Sequence, residues 1–271
     1  MAGESNRQAF LVVFAVAVVC AALVSASVVL LRPIQLQNAM LEQSRNVMQL
    51  TGLLEDGVPD DETLLALFRS LDARVVDIDA GTFDDTMDPY GFNQRRAASR
   101  EESSTAVPAE YDVARLGRRS QHAVVYLVWQ GDELDRIILP IRGAGMWSMI
   151  FGFIALEADL NTLAAATFYE QGETPGLGDR ITHADWLSQW VGRRVYDAQG
   201  EPAFGIGPGR IEAGSSAAVH RVDALSGATV TADAVAAMMH YWLGPHGFQP
   251  LLRNLASSPP QRRHPGEESK P

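Results

Sequence analysis

The chain has 271 residues, 46% of them apolar, enough for one substantial domain or two small ones but not several. A net charge of −11 argues against a nucleic-acid binder, which needs clustered Lys and Arg, and against docking on anionic headgroups. The single cysteine, Cys20, excludes an internal disulfide and a thiolate cluster for zinc or iron–sulfur, and the six His residues show no metal-ligand spacing, so no metal site is predicted and any redox chemistry needs an organic cofactor.

From Ala9 to Leu31 the chain is an unbroken apolar run without a charge, bracketed by Arg7 and Arg32. At about 1.5 Å per residue it reaches across a hydrocarbon core of roughly 30 Å, whereas the apolar part of a cleaved signal is typically about 7–15 residues. A retained membrane anchor over 9–31 is therefore expected, after a short flank at 1–8, and Cys20 lies within it. One Arg at each end does not settle the orientation. Beyond Arg32 the net charge is −12, because Arg7 and Arg32 against Glu4 leave one positive charge before it. The part outside the bilayer is distinctly acidic.

Pro33 opens a second helical pattern with Leu36, Met40, Val47 and Leu50, which Gly52 can end. A short helix starts at Asp60 or Asp61 and carries Leu64, Phe68 and Leu71 on one face, with acidic residues suited to its N-terminus. Val75–Asp79 reads as a strand ending in a turn at Ala80–Gly81, and the polar residues 84–110 read as a surface excursion. Two hairpins follow, Ala123–Trp129 with Ile137–Ile141 and Trp147–Leu156 with Leu163–Tyr169, the second turning at Ala158–Asn161. Ala184–Val191 reads as a short helix, and Arg193–Asp197, Ala203–Ile206 and Ala218–Val222 as short strands. A helix begins near Val230, with Val235, Met238, Met239 and Trp242 at helical spacing and Gly244 as its stop. The residues from Ala256 look disordered. Strands without βαβ alternation, between helices, predict an α+β fold: one transmembrane helix, then a single domain over 32–255 with a largely antiparallel sheet and flanking helices, then a tail at 256–271. There is no GxGxxG after a strand and no P-loop, so neither nucleotide fold is supported.

One hydroxyl stands out. In Asp223-Ala-Leu-Ser226-Gly227-Ala228-Thr229 the Thr sits at a helix start, where free N–H groups and the dipole favour a phosphate, Gly227 lets the backbone turn, and Ala228 leaves the hydroxyl uncrowded. Taken alone, a cap by Ser226 or Thr229 is the commoner use of such a turn.

This Asp-x-x-Ser-Gly-Ala-Thr stretch resembles the flavinylation motif of proteins that carry phosphoester-linked FMN. They include the B and C subunits of the sodium-translocating NADH:quinone reductase and the G subunit of the Rnf electron-transport complex. Further segments are similar to the C subunit of the reductase: Leu31-Arg-Pro-x-Gln35 with Asn38, Val76-Asp-x-Asp-x-Gly81-x-Phe83, Gln94-Arg-Arg, and Arg136-Ile-Ile-Leu-Pro140 with Gly143-x-Gly145-x-Trp147-Ser148-Met149. So are Phe168-Tyr-Glu-x-Gly172-Glu173-Thr174-Pro175-Gly176-Leu177-Gly178 and Trp242-Leu-Gly-Pro-x-Gly-Phe248-x-Pro250. They run in order from the anchor to about Leu255. Gln171 and Ala144 depart from the His and the basic residue common at those places.

The resemblance implies an FMN-binding domain with FMN esterified to Thr229, left there by a magnesium-dependent flavin transferase that uses FAD. It implies an electron-transfer subunit with no NADH site of its own, in a bacterial inner-membrane complex that oxidises NADH, reduces ubiquinone and translocates sodium. Its partners would be the FMN-bearing B subunit and iron–sulfur-bearing membrane subunits, with the domain on the periplasmic side. Thr174–Gly178 would cradle the isoalloxazine or ribityl chain, with Pro175 fixing φ and Gly176 and Gly178 permitting close approach. Gly145, Trp147, Ser148 and Met149 would contact the flavin, with core packing as the equal alternative for Trp147, and Ser226, Gly227 and Ala228 would flank the ester. Asp223 would orient the loop or assist the transferase, with a plain turn-forming Asp as the equal alternative. From its place at the helix start, Thr231 is the runner-up hydroxyl and is expected to cap the helix. The Rnf counterpart, and an anchored FMN-binding sensory or docking module, are the alternatives.

Overall fold

The computed structural model describes residues 2–54, 59–212 and 214–263. They fall into two units, residues 1–45 and 46–271. The first is one long helix, α1 (Ala2–Met48), whose last residues belong to the second unit. Its stretch Ala9–Arg32 is long and apolar enough to cross a membrane, and none of it is buried. The break expected at Pro33 does not occur. A proline removes a single backbone donor, and helix-forming residues on both sides carry the helix through to Met48. Gly52 follows in a left-handed turn with φ +72°.

The second unit begins with α2 (Asp61–Ser70), whose cap is the predicted one: the Asp60 carboxylate accepts from the Glu62 and Thr63 amides, both at 3.1 Å. Strands β1 (Asp72–Asp77) and β2 (Thr82–Phe83) follow. Residues 84–110, expected to be a surface excursion, are partly structured. They contain α3 (Gln94–Ala98) and β3 (Ser104–Ala106), which pairs with β4 (Arg118–Ser120). Ala97, Ala98 and Ser104 are buried there, small enough to pack close in a segment that reads as polar.

The centre of the fold is β5 (His122–Gln130), β6 (Glu133–Ala144), β7 (Met149–Glu157) and β8 (Leu163–Glu170). With β1 and β2 they form a six-stranded sheet in the order β2-β1-β5-β6-β7-β8, every neighbouring pair antiparallel. Both predicted hairpins are present. Gly131, at φ +63°, and Asp132 form a two-residue loop between β5 and β6, tighter than the predicted GDELD turn. At the other turn the Asp159 carboxylate accepts from the amides of Asn161 (2.9 Å) and Thr162 (2.7 Å).

The sheet is covered on both faces, which is why β5 reads as a continuous apolar run. Val124, Tyr126 and Val128 pack with Val47, Met48, Leu64 and Phe68, while Ala123, Val125 and Leu127 pack with Val235, Met239, Leu251 and Leu252.

After β8, α4 (Ala184–Leu187) sits between short 3₁₀ turns at 178–182 and 188–190. The short strands end up smaller than their apolar runs suggest. Arg193–Asp197 makes isolated bridges only, through Arg194 to Thr162 and Tyr196 to Pro202. β9 (Gly205–Ile206) pairs in parallel with β10 (Arg221–Val222), and Ala218 and Val219, expected in that strand, belong instead to a 3₁₀ turn at Ser216–Val219 capped by Ser215. α5 (Thr229–Trp242) packs against β6 and α6 (Gln249–Ser257) follows. Phe248 is stacked on Trp242 with centroids 5.2 Å apart.

Helix α6 carries the fold past the expected boundary at 255, and the first part of the expected tail is held. Arg74 Nη2 donates to the Gln261 carbonyl at 2.5 Å, and Arg262 Nη1 to the Gly131 carbonyl at 2.7 Å. Pro259 and Pro260 fix φ just before them, so this segment is held by Arg at little entropic cost. Residues 264–271, also assigned to the tail, lie outside the described residues.

Candidate functional site

The candidate residues meet at one end of the sheet, where β6 turns into β7 and β8 runs out. The turn Gly145–Ser148 is closed by the Gly145 amide donating to the Ser148 carbonyl at 2.7 Å. Met149 opens β7 opposite Ala144. Trp147 is not in the strand expected for it. Its side chain stands on the surface, 67% exposed, and its indole Nε1 donates to Thr174 Oγ1 at 3.1 Å. The alternative of a core tryptophan is thereby removed.

The loop after β8 is folded on Thr174, whose carbonyl accepts from the Leu177 amide (3.1 Å) and the Asp179 amide (3.3 Å). Gly176 takes φ +75° with open space around it, the left-handed position that glycine occupies without steric cost. Leu177 is 42% exposed, and a side chain on Gly227 would stand 3.0 Å from its Cδ2. The Thr174–Gly178 loop thus touches the Ser226–Ala228 turn. Gly227 itself has φ +78°, as a turn requiring the left-handed region demands.

Asp223 is held by three hydrogen bonds at the entry to the motif. Its Oδ1 accepts from the Ile211 amide at 2.6 Å, its amide donates to Gln189 Oε1 at 3.0 Å, and its carbonyl accepts from Trp186 Nε1 at 2.9 Å. Three polar links tie the chain entering the motif to the 3₁₀ turn at 188–190, to α4 and to the preceding loop.

Thr229 is the first residue of α5, and its side chain is exposed. Ala228 occupies the cap position, with φ −132° and ψ 41°, and no side chain caps the helix. Neither Ser226 nor Thr229 therefore serves as the cap that such a sequence usually builds. Thr231, expected to cap, is instead 2% exposed, and its hydroxyl donates to Glu173 Oε2 at 2.5 Å. Of the two threonines flanking Val230, one is open to solvent and the other is sealed.

Glu173 has no role legible in the sequence beyond its place in the loop. It is 4% exposed, and Oε1 accepts from the Met146 amide at 3.0 Å and the Trp147 amide at 3.2 Å. Its partners are 26, 27 and 58 residues away, so local pattern could not reveal them. The rarity of a buried glutamate is visible only once the fold is known.

On the three segments Met146, Trp147, Leu177 and Val230 are exposed large apolar side chains. Among the described residues no His, Cys, Asp and Glu cluster could hold a metal ion, so the site offers a hydroxyl, helix-start amides and an apolar wall.

The family profile described as "FMN-binding domain" matches residues 145–244, which spans the turn, the loop and the threonine motif. The chain is 43% identical to the C subunit of the Na(+)-translocating NADH-quinone reductase of Pseudomonas aeruginosa over 253 residues, covering 93% of this chain and 97% of that protein. It is 39% identical to the C subunit of the same reductase from Vibrio anguillarum, with 93% and 96% covered. The solved structure of Shewanella oneidensis NqrC superposes with a TM-score of 0.73 at 33% identity, over 80% of this chain and 97% of that one. With an FMN-binding domain on an antiparallel sheet and full-length likeness to these relatives, the chain belongs to the C-subunit family of the Na(+)-translocating NADH-quinone reductase.

Proposed function

We propose that Thr229 carries FMN through a phosphoester and that the chain works as an electron-transfer subunit of a complex that oxidises NADH, reduces ubiquinone and moves sodium across a membrane. The observation that carries the attachment site is the contrast between the exposed Thr229 hydroxyl, at a helix start that no side chain caps, and the buried Thr231 hydroxyl committed to Glu173.

The residues fit the group. Uncapped amides in the first turn of α5, with the helix dipole, suit a phosphate at Thr229, and Ser226, Gly227 and Ala228 leave room beside it. Trp147, Leu177 and the half-buried Met149 supply the apolar wall that a planar ring system requires, and Gly145 and Ser148 complete the turn that presents Trp147. Thr174, Pro175, Gly176 and Gly178 shape the loop on the other side, and Asp223 fixes the entry to the motif. When bound, FMN supplies the one-electron chemistry, and the chain supplies position and surroundings. Gln171 and Ala144 leave the attachment chemistry untouched.

Ala9–Arg32 is the membrane anchor in this reading, a single span without an internal charge that serves as anchor and packing surface. The acidic domain that follows faces the periplasm, where it exchanges electrons with the FMN-bearing B subunit and iron–sulfur-bearing membrane subunits, after a flavin transferase has loaded it.

The test is the full-length chain coexpressed with the flavin transferase and run on a denaturing gel. The wild-type band fluoresces and the Thr229→Ala band is dark. A fluorescent Thr229→Ala band, or FMN mass on Thr231, refutes the assignment.

A further inference from the structure

Three segments remote in sequence must meet for this site to exist: the 145–148 turn, the 174–178 loop and the start of α5. One carboxylate joins them. Glu173 Oε1 takes the Met146 and Trp147 amides, and Oε2 takes the Thr231 hydroxyl. Its own amide donates to Gln171 Oε1 at 2.6 Å, which fixes the main chain at the loop entrance. A buried carboxylate costs several kcal/mol in lost hydration unless donors replace the water, and here three donors come from two separate elements.

Two motif glycines point to the same group. A side chain on Gly145 would strike Glu173 Oε1, and one on Gly178 would stand 2.8 Å from both Glu173 Cβ and Thr231 Oγ1. Neither glycine has a positive φ, so space and not backbone conformation demands them. Gly178, expected to permit close approach of a ligand, instead makes room for Glu173.

We propose that Glu173 is the positioning residue of the flavin cradle. It holds the Trp147 turn, the Thr174–Gly178 loop and α5 in one arrangement, and Thr231 is a threonine because Glu173 needs its hydroxyl. The inference rests on the FMN reading of Thr229. Glu173 acts through Trp147 and the loop and does not itself meet the reacting atoms.

The test uses the full-length chain in membranes, coexpressed with the flavin transferase. Two quantities are read: FMN per chain after denaturation, and circular dichroism of the flavin bands in the native protein, which reports how firmly the ring is held in an asymmetric site. In Glu173→Ala, three donors lose their acceptor; loading falls about tenfold and the flavin dichroism is lost. Glu173→Gln rescues both. Its amide oxygen accepts the two N–H groups and its NH₂ donates to Thr231 Oγ1, so loading stays within about twofold of wild type. Thr231→Val, which removes one donor, lowers loading about threefold.

Wild-type loading and dichroism in Glu173→Ala overturn the proposal, and so does a Glu173→Gln protein as poor as Glu173→Ala. If Glu173→Ala fails to accumulate, Thr231→Val decides, and a wild-type result there overturns it. Thr229→Ala separates the two levels. FMN lost in Thr229→Ala but kept and ordered in Glu173→Ala refutes only the role of Glu173, whereas FMN kept in Thr229→Ala refutes the attachment site beneath it.

Discussion

Gly176 and Gly178 lie two residues apart and are glycine for different reasons, which makes their alanine variants a sharp test of the packing. At Gly178 the new methyl would stand 2.8 Å from Glu173 Cβ and 2.8 Å from Thr231 Oγ1, roughly an ångström inside normal contact. Neither atom is the free end of a flexible side chain. Overpacking of this kind costs about 1–3 kcal/mol, and losing the Thr231–Glu173 hydrogen bond adds about 1 kcal/mol. For a domain of this size about 3 kcal/mol lowers Tm by roughly 6–12 °C. At Gly176 nothing lies within 4 Å, but φ is +75°, so the cost is the left-handed penalty of about 1–2 kcal/mol with no clash. Thermal unfolding of the full chain in detergent, followed by tryptophan fluorescence, measures both. Replacing Thr231 by Ala removes one of the two colliding atoms, so Gly178→Ala costs measurably less in a Thr231→Ala background. A Gly178→Ala protein melting within about 2 °C of wild type refutes the packing argument. Equal costs of Gly178→Ala in the two backgrounds do so as well.

Trp147→Ala changes stability by no more than about 0.5 kcal/mol, because the side chain is 67% exposed. Under the proposed attachment at Thr229, FMN loading is retained and emission of the native flavoprotein rises as a stacking partner is lost; unchanged emission removes Trp147 from the flavin wall. At alkaline pH the buried Tyr241 and the half-buried Tyr196 lower stability. Burial raises Tyr196, whose hydroxyl donates to the Leu243 carbonyl, and pushes Tyr241 up to about 12 against the opposing pull of Arg119. The unfolded chain gives up these protons near pH 10 while the folded chain keeps them. Their contribution is therefore complete below about pH 10 and declines as pH rises from there. Urea unfolding at pH 9 to 11.5 shows this fall, and Tyr241→Phe flattens it.

Much of the sheet is legible in the sequence because β5 to β8 announce themselves locally. Apolar β-branched runs are separated by Gly131-Asp132 and by an Asp159 turn, and each hairpin needs only its own neighbours. The start of α2 is legible for the same reason, since Asp60 caps it from within one turn. Helix α6 is not. Its apolar residues Leu251, Leu252 and Leu255 are few, and Pro250 reads as a breaker although it sits at the helix start, where it is tolerated. β9 and β10 are shorter than their sequence suggests because apolar runs there supply core side chains such as Phe204 without ladder partners. The site divides in the same way. Thr229 and the glycine loops stand in contiguous motifs, whereas Glu173, sealed between the turn and α5, depends on partners that only the tertiary fold delivers.

The position of that carboxylate also orders events in time. Its donors lie on the β6–β7 turn and on α5, so the three are together only after β8 has paired with β7 and α5 has settled on the sheet. Contacts of such sequence separation form late, once loop-closure entropy has been overcome by the hairpins and the core. The exposed threonine hydroxyl and its apolar surround are thus presented together by the finished domain and not by the emerging chain. A modification that requires both would mark only those molecules that have completed folding, and its stoichiometry would serve as a count of them.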